Sequence, residues 1–173
     1  MMEEVILVDE SDKPLGVMEK MEAHRKALLH RAFSVFILNS KGEMLLQQRS
    51  VTKYHSGGLW TNACCSHPRP GEDTGQAAGR RLAEELGFTT QLEEVFDFTY
   101  KSEFENGLTE YEYDHVFVGY YDEDIHPDPA EVCAYKFLSP EAIEAGLAAH
   151  PEAYTSWFHL AFPLISDWLE KKK

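Results

Sequence analysis

Glu72 to Phe88, EDTGQAAGRRLAEELGF, is the stretch on which the fold turns. Ala77, Ala78, Leu82 and Leu86 recur near helical spacing, Pro70-Gly71 precedes them and Gly87 follows, so the pattern predicts an amphipathic helix over Asp73 to Leu86 that stops at Gly87. Adjacent acids near a helix C-terminus oppose the macrodipole, which makes Glu84-Glu85 a pair to be explained by something other than helix formation. A solvated helix end is the plain reading.

Working outward, Arg31 to Leu38 and Glu43 to Gln48 flank the turn residues Asn39 to Gly42 and predict a core hairpin. Val5 to Val8, followed by the turn chemistry of DESDKP, predicts an edge strand and hairpin, and Glu19 to Leu29 a helical or irregular piece. Val95 to Tyr100, Tyr111 to Tyr121 and Val132 to Leu138 are rich in aromatic and β-branched residues and are expected as strands, with Asn106-Gly107 turning the chain between the first two. Pro140 to Ala149 and Tyr154 to Glu170 carry helical signals, the latter with Trp157, Leu160, Ala161, Leu164, Ile165 and Trp168 on one face and Pro163 as a site for a kink. No repeat or linker breaks the 173 residues, so one α+β domain over residues 1–173 is expected, a mixed sheet sandwiched between helices.

Sixteen basic against thirty acidic residues give a formal charge of −14, which opposes nucleic acid or an anionic membrane surface as partner and requires local cations to capture any anionic substrate. Three cysteines, two of them adjacent, do not suit a disulfide framework, the start MMEEVILVDESDK lacks a basic signal region, and no apolar run approaches the roughly 20 residues of a membrane span; a cytoplasmic chain is expected.

Reactive groups gather in Gly58 to Glu72, GLWTNACCSHPRPGE. In an extended segment side chains alternate, so Cys65 and His67 share one face and Cys64 takes the other; a buried cysteine pair is the bland alternative. Glu110 and Glu112, two apart in an expected strand, also share a face, and like charges that close need either solvent or a cation. With His24 and His30, whose spacing alone says little, His67, Glu110 and Glu112 compose a candidate three-nitrogen, two-carboxylate site for a divalent transition metal.

Glu72, then seven residues, then Arg80-Arg81-Leu82-Ala83-Glu84-Glu85-Leu86-Gly87-Phe88 resembles a degenerate Nudix box, G-x5-E-x7-R-E-U-x-E-E-x-G-U, with Ser66 at the first Gly and Arg81 at the Glu that in the hydrolases helps hold the metal. Together with His24, His30 to Ser34, Trp60 to Pro68 and Glu110-Tyr111-Glu112, the box resembles type I isopentenyl-diphosphate isomerase from about Val5 to Trp168. The resemblance implies a Nudix-type fold with extra C-terminal helices and interconversion of isopentenyl and dimethylallyl diphosphate through a tertiary carbocation. It implies Cys65 and Glu112 as the catalytic pair on opposite faces of the substrate, Tyr100 near that glutamate, and Trp157 facing the cationic carbon. It implies Lys20, Arg49, Lys53 and Arg81 as diphosphate contacts, and His24, His30, His67, Glu110 and Glu112 as ligands of one Zn2+ or Mn2+. A Mg2+ would bridge the diphosphate to Glu85, shared by a carbonyl of the Cys65 region. The partner expected is thus a small prenyl diphosphate, the state a monomer or weak homodimer.

His55, His115, His126, His150 and His159 match no ligand position and are expected as surface or packing residues, Cys64 as structural and Cys133 as a core strand residue. Two alternatives stay open: a Nudix hydrolase of a nucleoside or prenyl diphosphate, and a binding module in which Cys64, Cys65, His24 and His67 form a structural zinc site.

Overall fold

The computed structural model describes residues 3–173; Met1 and Met2 of the acidic start lie outside the described residues. Strands β1 (Glu4–Val8) and β2 (Pro14–Glu19) lead through helix α1 (Lys20–Arg25) into β3 (His30–Leu38) and β4 (Met44–Arg49). The short β5 (Trp60–Asn62) and β6 (Cys64–Ser66) precede α2 (Thr74–Leu86), and β7 (Leu92–Glu103), β8 (Thr109–Tyr120), β9 (Val132–Leu138), α3 (Pro140–Ala149) and α4 (Ser156–Lys172) complete the chain.

β3 is the axis of the mixed sheet. β8 runs parallel to it from His30↔Glu112 to Leu38↔Tyr120. The opposite edge of β3 is taken in turn by β1, β6 and β4, and β4 carries β5 and β9 on its flanks. β7 closes the other side against β8. Alternation along β3 then builds two cores. Phe33, Val35 and Ile37 face Ala77, Ala78, Leu82 and Leu86 of α2, while Phe36 and Leu38 face Ile143 of α3 and Phe158, Ala161, Phe162 and Ile165 of α4. Each large apolar side chain so buried contributes about 1.5–3 kcal/mol, so the sheet is held from both sides.

α2 begins and ends where its sequence says. Asp73 caps it, accepting from Gln76 N at 3.0 Å. Gly87 ends it at φ 73°, and a Cβ there would run into the carbonyl of His126, so both conformation and space require glycine. The Asn39 to Gly42 turn likewise forms, with the Asn39 side chain accepting from the backbone of Lys41 and Glu43.

Three expectations are corrected. β2, not β1, is the sheet edge, because β1 lies between β2 and β3. α4 buries Trp157, Phe158, Ala161, Phe162 and Ile165 and leaves Leu160 and Leu164 exposed: the apolar stripe is turned toward the bulkier phenylalanines, and Pro163 lies on the solvent side of an uninterrupted helix. Cys133 sits in β9 but points outward and is exposed.

Candidate active site

The polar end of the α4-facing side of the sheet collects the reactive groups. Glu19 caps α1, its two carboxylate oxygens accepting from Met21 and Glu22 N, and so places His24 in the helix's last turn, fully buried. The chain reverses through Ala27 (φ 54°) and enters β3 at His30, which the parallel register sets beside Glu112. His30 Nε2 lies 3.2 Å and His67 Nε2 2.7 Å from Glu112 Oε2. Across β7, Tyr100 stands opposite Glu112, and its hydroxyl lies 2.6 Å from Glu110 Oε1 and 2.5 Å from Glu112 Oε1, one proton shared by two carboxylates.

His24 Nε2 is 3.9 Å from Glu110 Oε2, beyond hydrogen-bond reach, and buried without a partner among the described residues. Its Nδ1 donates to Lys20 O at 2.7 Å and that of His30 to Leu28 O at 2.9 Å, which leaves each Nε2 lone pair facing the cluster. The ligand atoms of His24, His30, His67 and Glu112 lie within 4.8 Å of one another, and those of His24, His55 and Glu110 form a second, overlapping set. Oriented imidazoles, an orphaned buried nitrogen and two adjacent carboxylates fit a divalent ion with nitrogen and oxygen preference. The residues expected as ligands are therefore brought together, Glu110 at its edge; Glu85 stands apart from this cluster, with Arg81 at 3.0 Å and the Cys64 thiol at 3.3 Å on the same oxygen.

Electrostatics follow from burial and neighbours. Burial raises the Glu110 pKa, and the His24 and His55 imidazoles outweigh it, holding the carboxyl down to about 2. Glu112 is held well below the usual carboxylate range in the same way, His67 foremost among its partners. Burial lowers the His67 pKa, whereas the nearby carboxylates overcome burial at His24 and raise it.

β6 pairs with β3 so that Cys65 faces Ser34, and the two cysteines part as alternation requires. Cys64 enters the α2 core and Cys65 turns to the polar cluster. The Cys65 thiol donates to Asn62 Oδ1 at 3.2 Å and lies 3.5 Å from Ser34 Oγ. The Asn62 amide is locked by donation to Val35 O and Cys64 O, and Ser34 donates its own proton to Asp114 at 2.6 Å. Acceptors therefore surround the sulfur, and burial with the Asp114 charge behind Ser34 pushes the thiol pKa up. Cys65, Tyr100, Glu110, Glu112 and Trp157 line one narrow cavity of about 20 Å³, room for about one water. A wider cleft of about 550 Å³ shares Ser66 and His67 with it and is lined by Arg69, Arg80 and Arg81. A cavity of similar size beneath the end of α4 contains none of these groups.

The buried side-chain N or O atoms without a partner among the described residues are His24 Nε2, Arg49 Nε, Asp114 Oδ1 and Trp157 Nε1, of residues in or around the cluster and cavity, and Gln47 Oε1 and Arg81 Nε, of two residues that contact Glu85. Leaving such a group unsatisfied costs about 1–3 kcal/mol, so both groups of atoms mark where a ligand belongs. Of the expected cations, Lys20 pairs with Glu3, Lys53 with Glu131, and Arg81 with Glu84, Glu85 and Glu131. Arg49 instead donates to His55 O at 3.1 Å and lies over the Trp157 ring at 5.1 Å.

Four residues of the site escaped the sequence reading. Asp114 extends the two-residue alternation of Glu110 and Glu112 and was legible there; Asn62 lay inside the reactive segment. Ser34 is joined to the others only by long-range pairing, and His55, expected at the surface or in packing, is buried against Glu110 at 3.0 Å.

Comparison with known proteins bears on this geometry. The NUDIX domain family matches residues 28–158. The chain is 51% identical over 170 residues to the isopentenyl-diphosphate Delta-isomerase of Pectobacterium atrosepticum, covering 98% of this chain and 95% of that protein. It is 46% identical over 176 residues to the same-named protein of Burkholderia multivorans, covering 99% and 100%. In fold it is similar to the crystal structure of a Deinococcus radiodurans protein, with a TM-score of 0.76 at 23% identity over 91% of this chain and 96% of that one. The chain belongs to the isopentenyl-diphosphate Delta-isomerase family of NUDIX-domain proteins.

Proposed function

We propose that the chain interconverts isopentenyl and dimethylallyl diphosphate by protonating one alkene carbon and deprotonating another. The observation that carries this reading is that Cys65 and Glu112 line one narrow cavity together with the Trp157 indole, the thiol in surroundings that keep its proton on and the carboxylate in surroundings that keep its proton off. An unactivated alkene is a poor base, so the acid must be held close and its proton must not be lost to water. Cys65 donates to the terminal methylene carbon, the alkene electrons form the new C–H bond, and positive charge develops on the tertiary carbon. The face of Trp157 attracts that charge without bonding to it. Glu112, sharing a proton with Tyr100, takes the proton from the neighbouring methylene and the double bond re-forms; reversal regenerates the isopentenyl isomer.

His24, His30, His67, Glu110 and Glu112 would hold one Zn2+ or Mn2+, which supplies fixed positive charge that keeps Glu112 ionised and oriented beside its like-charged neighbour. Arg49 and Arg81, each with a buried unpartnered Nε, donate to the diphosphate, with Lys53 and Lys20 as point charges. Glu85 would give a diphosphate-bound Mg2+ its carboxylate; the unpartnered Gln47 Oε1 beside it suits a water of such a hydrated ion. Five carbons need several times the room of one water, so the side chains walling the 20 Å³ cavity move apart when substrate enters. One domain, acting as a monomer or weak homodimer in the cytoplasm, suffices for this chemistry; no helix among the described residues is long and apolar enough to cross a membrane.

The test is phosphorus and proton NMR of isopentenyl diphosphate with the purified chain and Mg2+. Alkene migration with the diphosphate intact is expected. Release of phosphate without migration would replace this reading with that of a hydrolase.

A further inference from the structure

His55 lies in the loop between β4 and β5, which is tied by Gly58 N to Arg49 O and Arg49 N to Leu59 O, both at 2.9 Å. The loop closes so tightly that a Cβ on Gly57 would meet Val51 O at 2.8 Å. This backbone drives the His55 side chain inward, to 2% exposure. The imidazole stacks on Phe104 (4.3 Å, 11°) and meets Trp157 edge-on (5.5 Å, 77°). Its Nε2 is 3.0 Å from Glu110 Oε2, and its backbone oxygen accepts from Arg49. One residue thus touches the carboxylate cluster, the indole and an anion-binding guanidinium.

Its tautomer separates it from two of the ligand histidines, His24 and His30. His24 and His30 give their Nδ1 protons to backbone carbonyls, which can only accept, so their Nε2 atoms are bare. The Nδ1 of His55 instead faces the Ser56 hydroxyl at 3.2 Å, which can donate. With Ser56 donating to Nδ1, the ring proton is on Nε2, directed at Glu110.

We infer that His55 is a positioning residue: its Nε2–H holds the Glu110 carboxylate turned toward the metal cluster, and the same loop locks Arg49 against Trp157. The inference rests on the metal reading given above and adds to it a residue outside the ligand set. Removal of such an outer hydrogen bond typically weakens metal binding about 10–100-fold.

Two variants of the full chain test it, His55→Phe, which keeps a stacked ring and removes the donor, and His55→Gln, whose amide N–H can replace it. Metal-stripped protein is titrated with Zn2+ against a competing chelator, and the visible spectrum of the Co2+-loaded protein is recorded, with His24→Ala as a reference for a lost ligand. Expected are an affinity loss of about 10–100-fold in His55→Phe, recovery in His55→Gln, and a Co2+ band in both that keeps the wild-type position. Wild-type affinity in His55→Phe would overturn the inference. So would a band displaced in both variants as in His24→Ala, because His55 would then be a ligand. Should His55→Phe not fold, His55→Ala takes its place with the same expected and overturning results. A wild-type chain that binds no Zn2+ would defeat the cluster reading itself, an outcome distinct from equal binding by wild type and variant.

Discussion

Replacing Glu112 by Gln keeps the shape of the side chain and removes its charge. In the native chain Glu112 Oε2 lies 2.7 Å from His67 Nε2 and 3.2 Å from His30 Nε2, while Oε1 accepts from Tyr100 at 2.5 Å. The amide retains one oxygen for Tyr100 and turns an NH2 group toward the two imidazoles. Charged hydrogen bonds are worth about 1.5–3 kcal/mol each, but relief of the repulsion from Glu110 offsets part of that loss, so the fold is expected to survive. Chemistry should not. A positioned general base contributes about 10²–10⁴ in rate, about 2.7–5.4 kcal/mol of barrier, and Gln cannot accept the proton. The assay is conversion of isopentenyl diphosphate followed by NMR at saturating Zn2+ or Mn2+, with circular dichroism to verify folding and chelator competition to measure the metal. Expected are a fall in kcat of at least about 100-fold that excess metal does not restore, and weaker metal binding. Wild-type turnover in the folded variant would refute the assignment of Glu112 as the proton acceptor.

Cys65→Ser should abolish turnover, because a buried hydroxyl held by Asn62 and Ser34 is a far weaker acid than the thiol, whereas Cys64→Ser should retain much activity, since Cys64 faces the α2 core and Glu85; equal losses in steady-state assays would contradict the division. Arg81→Gln should raise KM about 10–100-fold with a smaller effect on kcat, the equivalent of about 1.5–3 kcal/mol of charged hydrogen bonding, and an unchanged KM would remove Arg81 from the diphosphate site. Acid titration of the metal-free chain should show stability lost as pH falls. Glu110 has its pKa depressed from an ordinary 4.5 to about 2, so its contribution is complete above pH 4.5 and gone near pH 2; thermal melts independent of pH across that window would contradict the buried pairing. Chelation at neutral pH should abolish activity while far-UV circular dichroism persists, because two hydrophobic cores hold the sheet without the cluster; unfolding on chelation would favour a structural metal site.

Local rules carried the sequence reading a long way. The helix that follows Pro70-Gly71, its stop at Gly87 and the strand alternation that separates Cys64 from Cys65 are short-range physics, and each is as expected. So is the shared face of Glu110 and Glu112, which the common Tyr100 proton makes visible. The departures arise where packing chooses among locally equivalent faces. α4 offered two overlapping apolar stripes, and the sheet selected the one carrying Phe158 and Phe162. Cys133 could face either way on β9 and turned outward. Ser34 and Asp114, 80 residues apart, meet only because β3 and β8 pair in parallel, and no spacing in the chain announces that. His55 was beyond reach for a different reason: it is delivered by an irregular loop closed on itself at Gly57, whose path no periodicity encodes.

The central claim is that Cys65 and the Glu112 pair move protons on carbon while the diphosphate stays whole. Incubation of isopentenyl diphosphate with the metal-replete chain in D2O, read by proton and deuterium NMR, tests it most directly. The account predicts dimethylallyl diphosphate with deuterium in a methyl group and, after reversal, at the vinylic carbon. Dimethylallyl diphosphate formed without deuterium, or deuterium incorporated equally by Cys65→Ser, would contradict it.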